Sequence, residues 1–340
     1  MNSAMDFSII TPCFNSIRWI GQCIASVRGQ VAPEAQKSDD LISDLRSPIS
    51  ESGASLRVHH HIQDGGSTDG TRGFLEKLAA VDGSSLVVDG GSETLDNEHS
   101  ATYQLTFASE TDKGMYNALN KAFEKVAPNN QSPIANNSRD SVIGHLNADE
   151  QYLPGTLRFV ADFFEKHPKV DVLFGAVVVT DAEGNYICSR MPLKPQLLHT
   201  QVCHLATFTA SMFFRRSAIE KLDCYFDESF QTAGDADLIC RMLKAKLKMA
   251  TVRRYFSVFV DSGDNLALSD AAKSEQQQMV RKAPTWAQKC PQIVEIHHRL
   301  RKLLNGAYRI KPFRYRFIRS DGSIDLHKVD HPTGRWLNRL

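Results

Sequence analysis

The sequence predicts an α/β fold: a mostly parallel central sheet flanked by helices over residues 1–265, with a helical, basic C-terminal extension over residues 266–340. Two observations point to it. Apolar runs of strand length alternate with segments of helical period through the first 180 residues, the order of a parallel sheet covered on both faces. The early strand-like runs also end in polar clusters: Thr11 with Asn15, Asp64 with Ser67, Glu110 with Asp112, and Asp149 with Glu150. In such sheets ligands bind beyond the carboxyl ends of the strands, so these endings point to one shared crevice.

Taken in order, FSIITPCFN opens with a strand at residues 7–10 that breaks at Pro12, and IGQCIASVRGQ sets Ile20, Cys23, Ile24 and Val27 at helical spacing. Residues 31–54 are polar with two prolines and read as an inserted loop or an irregular helical excursion. SLRVHHHIQD is the second strand, and GGSTDGTRGFLEKLAAV a turn opening a helix. A polar insertion covers residues 81–102, YQLTFASE is the third strand, and GMYNALNKAFEKVA is a helix with Met115, Leu119 and Phe123 on one face. PNNQSPIANNSRDS is a surface loop before the strand of Val142, Ile143 and Leu146; PGTLRFVADFFEKHP is a helix, and VDVLFGAVVV a buried strand. Farther on, ATFTASMFFRRSAIEKL reads as strand then helix. FDESFQTAGDADLICRMLKAKL is a loop feeding a helix whose buried stripe is Leu238, Ile239, Met242 and Leu243, and MATVRRYFSVFVDSG is a strand.

Composition excludes several classes. With 42% apolar and 23% charged residues the chain reads as soluble and globular. A net charge of +1 gives no global nucleic-acid signal, so no nucleic-acid partner is expected. No apolar run approaches a membrane span of roughly 20 residues, and MNSAMDFSIITP lacks the pattern of a secretory signal. The 7 cysteines have no CxxC spacing, which suits reduced thiols in a cytoplasmic protein and argues against a metal cluster. Charge is uneven: residues 291–340 carry eleven Lys/Arg against four Asp/Glu.

Five segments carry chemistry: SIITPCFN, IQDGGSTDGT, SETDKGMYNALNKA, HLNADE and FDESFQTAGDADLICRM. In order and spacing they resemble the family 2 inverting glycosyltransferases with the GT-A fold, over residues 6–265, and most of all those bacterial members that build cell-surface polysaccharides. The resemblance implies a nucleotide-diphosphate sugar donor, a divalent cation (Mg²⁺ or Mn²⁺), and transfer to the hydroxyl of a saccharide or lipid-linked acceptor.

In HLNADE, adjacent acids at a strand end repel each other unless a cation sits there. A hard cation on carboxylate oxygen spreads the charge that develops on a departing diphosphate. The family's acidic motif falls on Asn147, Asp149 and Glu150, with Asp149 the expected metal ligand and Glu150 behind it or facing the ribose. Asn147 replaces the motif's first acid, which weakens one contact. In GDADLICRM the resemblance makes Asp235 the catalytic base, the single carboxylate that takes the acceptor's proton. The structural alternative makes Asp235 the N-cap of a helix beginning at Ala236; Asp237 and Arg241, four apart, read as a surface pair. Relatives often have Glu where Gly234 stands, and a second, uracil-reading Asp where Gly65 stands, so a uridine donor is in question.

The remaining donor contacts implied are Thr11, Phe14 and Asp64 around the base and ribose, and Glu110, Asp112, Lys113 and Asn117 near the sugar or diphosphate. Acids before a helix are also favoured by its dipole alone. His204 matches a histidine found on the acceptor side of this subgroup. The run His59–His61 makes a poor metal triad, because alternation puts His60 on the opposite face. The tail HHRLRKLLNGAYRIKPFRYRFIR mixes cations with Leu, Tyr and Phe, which suits a peripheral contact with an anionic membrane or, equally, a basic helix packed on the catalytic domain. A sugar-phosphate nucleotidyltransferase would need a Gly-rich basic loop that TPCFNS lacks; a non-catalytic relative that binds a sugar nucleotide or a partner is the alternative that Asn147 keeps open.

Overall fold

A computed structural model describes residues 5–31, 55–81, 102–126, 141–203, 205–261 and 270–336. The insertion expected after residue 31, the one after residue 81 and the loop before Ser141 fall almost wholly outside these residues, as does His204.

The centre is a 9-stranded sheet. Strands β1 (Met5–Cys13), β2 (Leu56–Asp64), β3 (Thr102–Ser109) and β4 (Val142–His145) pair in parallel in the order β3-β2-β1-β4. Helices α1 (Ile20–Arg28), α2 (Thr71–Val81) and α3 (Met115–Val126) make the crossovers. β1 runs on through Pro12, where a break was expected. Its pairing with β4 ends at Ile10, so Pro12 lies where β1 has only β2 as a neighbour and a missing N–H is tolerated.

After β4 come β5 (Gln151–Tyr152), α4 (Thr156–Lys166), β6 (Val172–Thr180) and β7 (Tyr186–Arg190). Next are α5 (Leu197–Val202), a 3₁₀ turn at Thr209–Ser211, β8 (Met212–Arg215), α6 (Arg216–Ile219), α7 (Gly234–Lys244) and β9 (Met249–Val260). β8 lies antiparallel between β4 and β6, with Gly144 opposite Phe213. That register brings the start of β8, and the turn before it, to the edge where β1–β4 end. The apolar stripe of α7 is buried as expected: Leu238, Ile239 and Met242 join Ile10, Ile143, Phe174 and Phe214 in the main core, with Leu243 against it.

Three helices follow, α8 (Asp270–Arg281), α9 (Thr285–Lys289) and α10 (Pro291–Leu304), which agrees with a helical C-terminus. The chain then forms an antiparallel hairpin, β10 (Phe313–Ile318) and β11 (Ile324–Val329), that the helical reading did not foresee. Phe313, Tyr315, Phe317 and Val329 of the hairpin pack on Ala176, Val178, Tyr255 and Val258 of the sheet. All 7 cysteines are free, and Cys13, Cys23, Cys188, Cys203 and Cys240 are buried. No helix among the described residues is long and apolar enough to cross a membrane.

Candidate active site

The acidic motif lies on the loop between β4 and β5. Glu150 is 2% exposed and turned inward: its Oε2 accepts from the Asn147 backbone N–H at 2.7 Å, and its own N–H donates to Asn147 O at 3.0 Å. Asn147 Oδ1 bonds the Nε2 of His145 at 3.0 Å. Burial lowers the His145 pKa to about 4, so the ring is neutral and donates there. These bonds pin the loop and leave Asp149 as its partly accessible carboxylate. Burial raises Asp149 to about 6, and burial together with the Asp149 charge pushes Glu150 well above the usual carboxylate range. Among the described residues neither acid forms an ion pair with Lys or Arg. Uncompensated carboxylate charge is what a cation relieves. The described residues hold no ready group of three or more His, Cys, Asp or Glu for a metal. One open carboxylate suits Mg²⁺ or Mn²⁺ that takes its other ligands from water and substrate phosphate; the donor set fits an open site and not a closed structural one.

Asp235 stands in the first turn of α7, partly accessible. It is not the helix cap: the helix begins at Gly234, with Ala233 at the N-cap position and no side-chain cap bond there. The capping anion comes instead from α8. Glu275 accepts from the N–H groups of Gln231 (2.6 Å), Thr232 (2.9 Å) and Ala233 (2.8 Å) and from the Thr232 hydroxyl (2.8 Å). Asp235 is thereby released from capping. Its Oδ2 accepts from the Thr209 hydroxyl at 3.3 Å, and its Oδ1 has no partner among the described residues. Burial raises its pKa to about 6. The Asp235 charge also acts on Glu150, so the two acidic elements lie within electrostatic range of each other. Gly234 has a steric reason: a Cβ there would lie 2.6 Å from the Tyr116 ring, so the Glu usual in relatives has no room. Asp237 is structural, as expected, but buried: it pairs with Arg241 at 2.7 Å and with Lys282 of the α8–α9 turn at 3.3 Å.

On the nucleotide side the expectations divide. Thr11 is 0% exposed and bonded to His60 Nε2 at 2.9 Å, so its side chain faces the core and not a ligand. Asp64 is likewise 0% exposed, and its oxygens accept from the Ser67 hydroxyl (2.5 Å), the Ser67 N–H (3.1 Å) and the Ser109 hydroxyl (2.6 Å). It ties the ends of β2 and β3 together beneath the pocket. Phe14, by contrast, is 62% exposed. A Cβ at Gly65 would lie 2.5 Å from Asp112 Oδ2 and 3.4 Å from the Phe14 ring. The Asp112 carboxylate, from a different loop, thus fills the space a side chain at position 65 would need. Glu110 is exposed and paired with Lys121 at 3.2 Å. Asn117 accepts from the Lys113 N–H (3.1 Å) and donates to Glu228 (2.9 Å), which Asn120 also holds at 2.9 Å. The Lys113 side chain is exposed on the same rim.

His59 and His61 share the Thr106 hydroxyl at 2.8 Å each, while His60 faces Thr11 and Tyr103 on the other side. Alternation is as expected. Sequence reasoning missed Thr209, Glu275 and Glu228, which meet Asp235, the turn before α7 and Asn117 only in the folded chain.

The family description Glycosyl transferase family 2 matches residues 8–223 of this chain. The chain belongs to that family. Its α/β sheet is the GT-A arrangement expected from the motifs. The Staphylococcus aureus TarS fragment 1–349, solved with UDP-GlcNAc, superposes with a TM-score of 0.50 at 17% identity, covering 82% of this chain and 65% of TarS 1–349. The chain thus spans under two thirds of that fragment. A Pyrobaculum calidifontis mannosyltransferase solved with GDP-Man and Mn²⁺ gives 0.42 at 17% identity, covering 74% of this chain and 56% of that one. No curated protein matches the chain. The loops described above lie at the carboxyl-end edge of the parallel strands β1–β4.

Proposed function

We propose that the protein transfers a sugar from a nucleotide-diphosphate sugar to an acceptor hydroxyl with inversion, assisted by Mg²⁺ or Mn²⁺, in the synthesis of a cell-surface polysaccharide or glycolipid in the cytoplasm. The observation that carries this reading is Asp235: a partly buried carboxylate, released from capping by Glu275, with one oxygen unpartnered among the described residues and a pKa raised by burial to about 6. Such a group is basic enough to accept a hydroxyl proton and near enough to neutral pH to be ionised. The acceptor O–H gives its proton to Asp235 as its oxygen bonds the anomeric carbon and the bond to the diphosphate breaks on the opposite face. Residues 1–265 supply this chemistry, and residues 266–340 brace it through Glu275.

Asp149 would hold the cation, which when bound spreads the negative charge growing on the diphosphate. Glu150 and His145 keep the loop that presents it, and the Asn147 amide NH₂ is left for a donor oxygen. Phe14 offers a stacking face for the base, and Asp112 beside it an acceptor for a base N–H, in place of the residue absent at Gly65. Lys113 and Asn117 border the diphosphate, and His204 the acceptor. UDP-GlcNAc in the TarS structure supports a nucleotide sugar as donor.

Donor hydrolysis and transfer with Mn²⁺, measured for wild type and Asp235→Asn, test the reading. The variant loses roughly 10²–10⁴-fold in rate while a thermal shift with the nucleotide and Mn²⁺ persists. A screen of uridine, guanosine and thymidine diphosphates gives a metal-dependent shift for at least one. No response to any of them, or equal turnover in the variant, overturns it.

A further inference from the structure

Helix α10 turns an apolar face away from the protein. Ile293, Ile296, Leu300, Leu303 and Leu304 recur at helical spacing and so share one arc of the helix. They are exposed by 58%, 65%, 48%, 62% and 78%. The opposite arc seats the helix: Val294 and His298 are buried, and Arg301 reaches His199 Nδ1 (2.8 Å) and the Lys194 carbonyl (3.0 Å). Among the described residues eleven large apolar side chains are exposed, and seven of them lie between Trp286 and Tyr308. Exposed apolar groups are ordinarily scattered; a contiguous stripe marks a docking surface.

Charge selects the occupant. Glu295 is the only acid on α10, and it already faces Arg299 at 3.8 Å. Arg299, Lys289 and Arg309 are exposed on or near α10, and Trp286 and Tyr308 flank it in the chain. A second copy on this face would set these cations against their own kind. An anionic lipid surface accepts both the apolar arc and the cations, and the flanking aromatics suit the headgroup level. We propose that α10 docks the protein on an anionic membrane surface, the aliphatic stripe entering the headgroup–acyl boundary and the cations pairing with lipid phosphate. The proposal stands apart from the glycosyl-transfer reading. It bears on it through packing alone: α10 rests on α5, and α5 on α7, which carries Asp235.

Flotation of the full chain with vesicles tests this. The protein rises with vesicles of phosphatidylglycerol and phosphatidylcholine in equal parts, does so far less with phosphatidylcholine alone, and is released as salt is raised. The double variant Leu300→Glu/Leu303→Glu loses about tenfold in the bound fraction, and Arg299→Glu loses the preference for anionic vesicles. Both keep the wild-type melting temperature and donor hydrolysis, which separates a docking defect from a folding or catalytic one. No recovery on anionic vesicles, or undiminished recovery of the double variant, overturns the proposal. So does a dimer in light scattering that the double variant returns to monomer, because the face would then serve a second copy.

Discussion

Asp235 is held in a setting that costs stability and supplies chemistry. Its carboxyl is raised from 3.8 to about 6 by burial, so the folded state binds its proton more tightly than the unfolded state. Stability then falls as pH rises from 3.8 through 6, and above 6 the whole cost is present. Asp235→Asn should raise stability above pH 6 by about 1–2 kcal/mol after solvent screening and change nothing below pH 3.8. Thermal melts across that range check the sign. Catalysis runs the other way, because a base must be ionised: kcat/KM of the wild type should climb through about pH 6 and level off, and the residual rate of the variant should lack that limb. Asp149, Glu150 and Asp235 stand out in the sequence because acids at a strand end and in a family-like motif are unusual. The burial of the Thr11 and Asp64 side chains is not legible there. A strand alternates its side chains between faces, and nothing in the chain near Thr11 tells that His60 waits on its side.

The helix α7 could be drawn from its periodicity, but its cap could not. An Asp in the first turn of a helix ordinarily suggests capping, and the cap here is Glu275, from the C-terminal segment. Burial alone would raise the Glu275 carboxyl; the N–H bonds from Gln231, Thr232 and Ala233 and the Thr232 hydroxyl outweigh it and hold it below its ordinary value, so the stabilising form is the anion. Glu275→Ala strands these donors and should cost about 2–3 kcal/mol. It should also lower kcat with little change in donor KM, since it shifts the turn that presents Asp235 without touching the donor loops. Glu275→Gln, which keeps one accepting oxygen, should recover part of both losses. Denaturant melts and steady-state kinetics on the two variants decide it.

Across the whole molecule the C-terminal hairpin is part of the core. Tyr315 is 1% exposed, its hydroxyl donates to Gly184 O at 2.6 Å, and its ring stacks on His327 at 4.9 Å. Tyr315→Ala should destabilise the protein by about 3–5 kcal/mol. We expect the loss as a shift of a single cooperative transition, since the hairpin shares its apolar cluster with the sheet; a separate early transition for residues 266–340 would show an independent appendage. The hairpin was readable in principle. Phe313, Tyr315 and Phe317 alternate with Arg314 and Arg316, a period-2 pattern that the strong local positive charge obscured. β5 was not readable, being two residues long and defined only by its partner β9.

The sequence by itself determined the alternation of strand and helix, the edge at which the strands end, and the acids that gather there, because these follow from local period and from residue chemistry. Tertiary structure alone decided which of those polar groups face the pocket and which tie the scaffold. It placed Asp112 beside Gly65, brought Thr209 to Asp235 through an antiparallel β8, and supplied the α7 cap from a distant helix. The reason is range. Periodicity is a property of neighbours along the chain, whereas burial and hydrogen-bond partnership depend on neighbours in space, which only the folded sheet brings together.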